Sequence, residues 1–270
     1  MRRLGVVGLV SLDRIDGGLP RLGGAVTYAA RAVRELQTPV VLATKLADED
    51  RPRLRALGVP VAAGPAKRTI VFEHDYEGDV RRSRLDELGE PFTPEDTKGW
   101  LGAALAGVGW VHAGALTRAD FPVETLAALG RGRVLSLDGQ ALVRPAALGD
   151  LVLDSSYDPN VLRHLDVLKL AREELEALGL ELDERSLASV GVREVVVTLG
   201  RDGAVVYADG LAEHVPTIPL EGIDPTGAGD SWMVAYAVFR GQRHSAVSAA
   251  RLANGVTQSM LRAPRRWRGR

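Results

Sequence analysis

The sequence contains no cysteine, which excludes disulfides, thiolate metal sites and cysteine nucleophiles together. It has almost no net charge, −1 from 34 basic and 35 acidic residues, so electrostatics give no case for a nucleic-acid partner. No apolar stretch reaches the roughly 18 residues of a membrane span. The richest, Leu101 to Leu116, is broken by Gly107, Gly109 and His112. Arg2 and Arg3 precede the apolar run Leu4–Val10, but that run is short, lacks a small-residue cleavage site and is followed at once by Ser11-Leu12-Asp13. A first buried strand is expected there rather than a signal peptide. Internal repeats, low-complexity tracts and a linker long enough to separate domains are also missing. A cytoplasmic protein is the simplest expectation. The one strongly basic segment is the tail, with Arg265, Arg266, Arg268 and Arg270 around Trp267. It reads as a solvated end of the chain.

What remains is an ordinary globular composition, 46% hydrophobic and 26% charged over 270 residues, long enough to bury a core without staples. Short, largely β-branched runs alternate with stretches of helical period. The expected strands are Leu4–Val10, Val40–Ala43, Trp110–Ala113, Val134–Leu137, Val167–Leu170 and Val195–Leu199. Between them, helical period marks 25–36, 94–106, 123–129, 172–178 and 184–190. Such alternation predicts right-handed crossovers and a mainly parallel sheet with helices on both faces. One segment breaks the rhythm: Arg68–His74 and Val80–Leu85 flank the turn-forming Asp75-Tyr76-Glu77-Gly78-Asp79. A β-hairpin is expected there, inserted at about 66–88 in a single domain spanning 1–270 and standing off the main sheet as a lid, with Phe72 toward the cleft.

Most informative is Asp224-Pro225-Thr226-Gly227-Ala228-Gly229-Asp230, which runs straight into an apolar helical pattern. Small residues ahead of a helix leave backbone N–H groups facing open space at the positive end of its dipole, an anion cradle. A carboxylate beside that cradle is unfavourable unless it has a task. The task available to Asp230 is to accept a proton from a hydroxyl attacking a phosphoryl group. Read alone, the same residues also make a plain tight turn and helix cap.

The segment closely resembles the C-terminal signature of the ribokinase/PfkB family of carbohydrate kinases, and further features match that family in the same chain order. The opening strand ends on Asp13; Gly23-Gly24-Ala25-Val26-Thr27-Tyr28 resembles its di-glycine motif; Thr198-Leu199-Gly200-Arg201-Asp202-Gly203 resembles its strand–turn motif; Asn254 lies one helix beyond Asp230. The resemblance implies a ribokinase-like three-layer α/β fold and an ATP-dependent kinase acting on a small polyol. It implies Asp230 as general base, Gly227, Ala228 and Gly229 as anion hole, and Asp13, Gly23 and Gly24 at the substrate. Thr198, Gly200, Gly203 and Asn254 would border ATP, and a monovalent cation is implied near Asp224 and Thr226. The implied partners are the polyol and ATP alone, for a monomer or homodimer.

The chain also departs from the family pattern. Where many members carry Asn-x-x-Glu to organise Mg²⁺, Ala171 replaces the asparagine and Glu174 keeps the carboxylate. Only nine residues separate Asp13 from Gly23, which predicts no extra lid strands there and a lid made of the hairpin alone. Asp138-Gly139-Gln140 and Arg144 resemble a substrate segment of the inositol-kinase-like branch, which implies Asp138, Gln140 and Arg144 at the substrate and a cyclitol such as myo-inositol. Gln140 can donate to and accept from a ring hydroxyl, and Arg144 can neutralise phosphate charge. A nucleoside kinase of the same family, or a relative that binds ligand without turnover, stays open. A nucleotide-binding oxidoreductase is disfavoured because no Gly-x-Gly-x-x-Gly follows the first strand.

Overall fold

The computed structural model describes residues 2–77 and 80–262; the basic tail and the hairpin residues Gly78 and Asp79 lie outside them. The strands are β1 (Leu4–Gly8), β2 (Ser11–Ile15), β3 (Arg21–Gly23), β4 (Val40–Ala47), β5 (Ala62–Ala66), β6 (Ile70–Glu77), β7 (Val80–Glu87), β8 (Trp110–Gly114), β9 (Val134–Asp138), β10 (Gly149–Asp150), β11 (Val167–Ala171), β12 (Glu194–Thr198), β13 (Ala204–Ala208) and β14 (Leu211–Val215). The helices are α1 (Ala25–Leu36), α2 (Pro94–Lys98), α3 (Trp100–Ala104), α4 (Val123–Gly130), α5 (Gln140–Val143), α6 (Arg172–Ala177), α7 (Glu184–Ser189), α8 (Ala228–Gly241) and α9 (Ala246–Arg262).

Nine strands form the main sheet in the order β14-β13-β12-β11-β9-β8-β1-β4-β5. It is parallel from β5 to β12 and closes with an antiparallel edge of β13 and β14. Alternation along each strand sends side chains to two separate cores. On one face Val7, Val111, Leu135, Leu168 and Val195 meet Leu101, Leu126, Leu175 and Leu187 from α3, α4, α6 and α7. On the other, Val6, Leu42, Trp110, Val167 and Val196 meet α1, α8 and α9. Helix α8 is buried at every position from Ser231 to Val238, because it lies between the sheet and the outer helices; a helix apolar all round belongs in such a place.

The helix expected across 94–106 is two. Thr93 and Asp96 form a reciprocal capping box for α2, and the backbone leaves helical geometry at Gly99 before α3 begins. The break turns Trp100 onto β5, where a Cβ on Gly64 would lie 2.2 Å from its ring.

The lid is a second sheet of five strands, β10-β7-β6-β2-β3. The expected hairpin, β6 with β7, is there and stands off the main sheet. The expectation that the short Asp13–Gly23 segment adds no lid strands is corrected: β2 pairs with β6 and β3 pairs with β2. The spacing suffices because Asp16 and Gly17 turn tightly at positive φ, 48° and 69°, and the Gly17 N–H is tied to Glu73 Oε1 at 2.8 Å.

Candidate active site

The C-terminal ends of the parallel strands, where open α/β sheets bind ligands, gather most of the residues that the sequence singles out. Helix α8 begins there without a side-chain cap. Its preceding residue, Gly227, has φ 75°, and a Cβ on it would sit 2.0 Å from the Tyr28 ring of α1. Glycine is therefore required twice, for backbone conformation and for space. Ahead of it, Asp224 Oδ1 accepts from the Thr226 N–H at 2.8 Å and from the Thr226 hydroxyl at 2.5 Å, which shapes the approach to the cradle.

Asp230 lies in the first turn of α8. It keeps some exposed surface, yet burial pushes its carboxyl up to about 7, helped by the neighbouring carboxylates of Asp138 and Glu174 and opposed by Lys169 and Arg144. A carboxyl in that range can take up a proton near neutral pH.

Lys169, on β11, was not singled out in the sequence. Its side chain is 4% exposed and its Nζ donates to Asp138 Oδ2 at 3.2 Å. A Cβ on Gly229 would come within 3.2 Å of that Nζ, so the ammonium stands directly at the start of α8. Burial alone would discharge it, but Asp138, Glu174 and Asp230 overcome that and hold it firmly protonated. A signal existed in the chain: a lysine inside a strand otherwise apolar, Val-Leu-Lys-Leu-Ala, must find a buried partner.

The remaining residues divide. Asp138 is fully buried, with Oδ2 on Lys169 and Oδ1 on the Gln140 N–H at 3.1 Å. It braces the lysine, so the expected contact with substrate hydroxyls is not what its neighbours suggest. Gln140 Oε1 and Arg144 Nε are buried without a partner. Glu174 is buried, accepts from the Ala171 N–H at 2.8 Å and has its carboxyl raised by burial against the pull of Lys169. Among the described residues no group of three or more His, Asp or Glu is arranged to ligate a metal, and an ammonium already stands among these carboxylates. Mg²⁺ keeps several of its waters and takes only one or two carboxylates, so it does not require such a group.

On the lid side, Asp13 lies on β2 with Oδ1 accepting from the Ser11 hydroxyl at 2.6 Å. A Cβ on Gly23 would be 1.8 Å from its Oδ2, and Gly24, at φ 83°, opens α1. Thr198 is paired with Ala171 at the ends of β12 and β11, and Gly200 and Gly203 turn the chain into β13 at φ 57° and 95°. Asn254 is buried away from the carboxylates. Its Oδ1 accepts from Trp232 Nε1 at 2.7 Å and its Nδ2 donates to the carbonyls of Val215 and Pro216. The amide thus straps the segment after β14 to α9. Phe72 packs into the core beneath the lid rather than into open cleft.

A parallel sheet under a five-stranded lid, with a helix start and a carboxyl at the strand ends, defines the ribokinase-like class of α/β proteins. Comparison with known proteins makes this specific. The profile of pfkB family carbohydrate kinases matches residues 146–264. The chain is 35% identical over 191 residues to inositol 3-kinase of Zea mays, covering 69% of this chain and 46% of the relative. It is 29% identical over 235 residues to a fructokinase of Rhizobium leguminosarum bv. trifolii, covering 80% and 70%. It also superposes, at TM-score 0.78 and 28% identity over 97% of this chain and 96% of the other, on a pyrophosphate-dependent kinase in the ribokinase family complexed with a pyrophosphate analog and myo-inositol. The chain belongs to the pfkB family of carbohydrate kinases. It spans under half the length of the maize enzyme.

Proposed function

We propose that this protein phosphorylates a hydroxyl of a cyclitol, with myo-inositol as the first substrate to try. The observation that carries the reading is the pairing at the start of α8: a carboxyl poised near 7 on Asp230 and the Lys169 ammonium beside Gly229. Asp230 accepts the proton of the attacking hydroxyl as its oxygen bonds to phosphorus. The bond from that phosphorus to the donor's bridging oxygen breaks, and the leaving group carries off the electron pair. Backbone N–H groups of Gly227 and Gly229, with Lys169 and Arg144, stabilise charge on the transferring phosphoryl oxygens, whereas the Ala228 N–H, expected as a third donor, is already committed to the Pro225 carbonyl at 2.9 Å. Asp13 holds the polyol against the bare backbone of Gly23 and Gly24, and Gln140 supplies an unpartnered acceptor. Mg²⁺ is assigned to the donor's phosphates, with Glu174 the carboxylate nearest in motif. A monovalent cation near Asp224 and Thr226 is kept as part of the family-based reading.

The donor has two readings. The Thr198–Gly203 turn supports ATP by resemblance. Pyrophosphate is supported by the likeness to a pyrophosphate-dependent kinase and by Asn254, whose amide is committed to the chain's own carbonyls. Turnover of myo-inositol, fructose, ribose and cytidine with ATP and with pyrophosphate tests both choices. Preference for cytidine by a wide margin overturns the cyclitol reading. Absence of turnover in every combination, with ligand still bound, favours a binding protein.

A further inference from the structure

We propose that His74, on lid strand β6, reads one hydroxyl of the polyol jointly with Asp13, and that Ser83 sets the tautomer that lets it do so. This rests on the kinase reading above and concerns the orientation of the substrate. His74 Nε2 lies 3.9 Å from Asp13 Oδ2, with the two side chains 13% and 15% exposed. That gap is too long for a direct hydrogen bond. It suits one oxygen held at about 2.8 Å from each, with an apex near ~90°.

The surrounding groups leave those two atoms for a ligand. Asp13 Oδ1 is taken by the Ser11 hydroxyl, and Gly23 places no side chain over Oδ2. Across the hairpin His74 pairs directly with Ser83, whose Oγ is 2.9 Å from Nδ1. If the serine hydroxyl donates to Nδ1, the ring proton must sit on Nε2 in the neutral imidazole. A hydroxyl between the pair then donates to the carboxylate and accepts from the imidazole, using both of its capacities. The ring is fixed by stacking on Phe72, at 5.9 Å between centroids and 8° between planes. Because Asp13 belongs to β2 and His74 to β6, one hydroxyl would stitch the strand leaving the main body to the hairpin. Which hydroxyl takes that place decides which other one faces Asp230.

The test uses the full-length protein with myo-inositol and its mono-deoxy derivatives, comparing wild type with His74→Leu, His74→Gln and Ser83→Ala. His74→Leu is expected to raise the KM for myo-inositol roughly 10-fold or more, the loss of a hydrogen bond in a chain of polar contacts. The donor KM should stay within about twofold, because the proposed contact is made to the polyol and not to the donor. His74→Gln, whose amide N–H reaches a similar place, should recover much of the loss, and Ser83→Ala should show a smaller rise in the same KM. One deoxy derivative, lacking the bridging hydroxyl, should be handled alike by wild type and His74→Leu. Unchanged KM in a variant that is folded by its melting curve, or equal loss across every deoxy derivative, overturns the proposal while leaving the kinase reading intact. A wild type that phosphorylates no polyol overturns both.

Discussion

Asp230 and Lys169 form one electrostatic unit, so each controls the other's protonation. Asp230→Asn removes the proton acceptor yet keeps size and helix start, and a fall in kcat of roughly 10²–10⁴ is expected. Its effect on stability depends on pH. Folded Asp230 titrates near 7, whereas an unfolded aspartate does so near ~4. The folded form therefore holds its proton longer, and this residue's contribution, full below the unfolded value, is lost as pH rises through the folded one. Asparagine cannot ionise. The variant should gain on wild type in melting temperature from pH 4 to pH 8, and a variant that loses ground to wild type over that range would contradict the raised carboxyl. Lys169→Met should instead show in the pH dependence of the chemistry. Without the ammonium, Asp230 is left with Asp138 and Glu174, so the acidic limb of the kcat/KM profile should move to higher pH. A profile unmoved in a folded variant would mean that Lys169 does not sense Asp230.

Helix α8 carries the cradle because it is clamped at both ends. Toward its C-terminus, Tyr236 donates to Glu194 at 2.8 Å and Arg240 pairs with the same carboxylate. That ties the helix to β12, and Ser231 and Tyr28 hold its start against α1. Glu194→Ala leaves a half-buried arginine and a buried phenol without this acceptor and should cost about 2–4 kcal/mol in denaturant unfolding, short of a fully buried pair because Arg240 keeps solvent and the His244 carbonyl. A cost below ~1 kcal/mol would show that α8 is seated by apolar packing alone. At the other end, Gly227→Ala meets both a left-handed backbone and the Tyr28 ring. Tyr28→Ala in the same chain relieves the collision but not the backbone strain. Recovery of melting temperature in the double variant should thus be partial, and complete recovery would assign the whole effect to the ring.

The two sheets meet through β1 and β2, consecutive strands with only Leu9 and Val10 between them. Substrate held by Asp13 on that path should couple lid to body. A polyol at about 100 times its Kd should add about 2.7 kcal/mol of stability to a wild type that binds it only when folded. The expected readout is a rise in melting temperature with myo-inositol that Asp13→Ala abolishes. A shift of equal size in that variant would move the polyol elsewhere. Among the described residues no helix is long and apolar enough to cross a membrane.

The parallel sheet, the alternation of layers, the hairpin and the helix start at Asp230 were legible in the sequence, because each depends on local period and local backbone chemistry. Leu4–Gly8 and Val195–Val197 are buried on both faces and show it as unbroken apolar runs. Gly227 to Asp230 show a helix start because small residues with an acid in the first turn mark a helix N-terminus. The partners of the charged residues were not legible. Lys169 reads as an intruder in a strand until β9 brings Asp138 alongside and α8 brings Asp230 above it, from 31 and 61 residues away. Asn254 looks like a ligand-side amide until Trp232 and the carbonyls of Val215 and Pro216 are seen to use it. Likewise β2, polar and exposed toward its end, and β3, with three residues, do not announce themselves, and become strands because β6 offers an edge to pair with. Periodicity is written in neighbours along the chain, whereas charge pairing and edge pairing are set by which distant segments fold together.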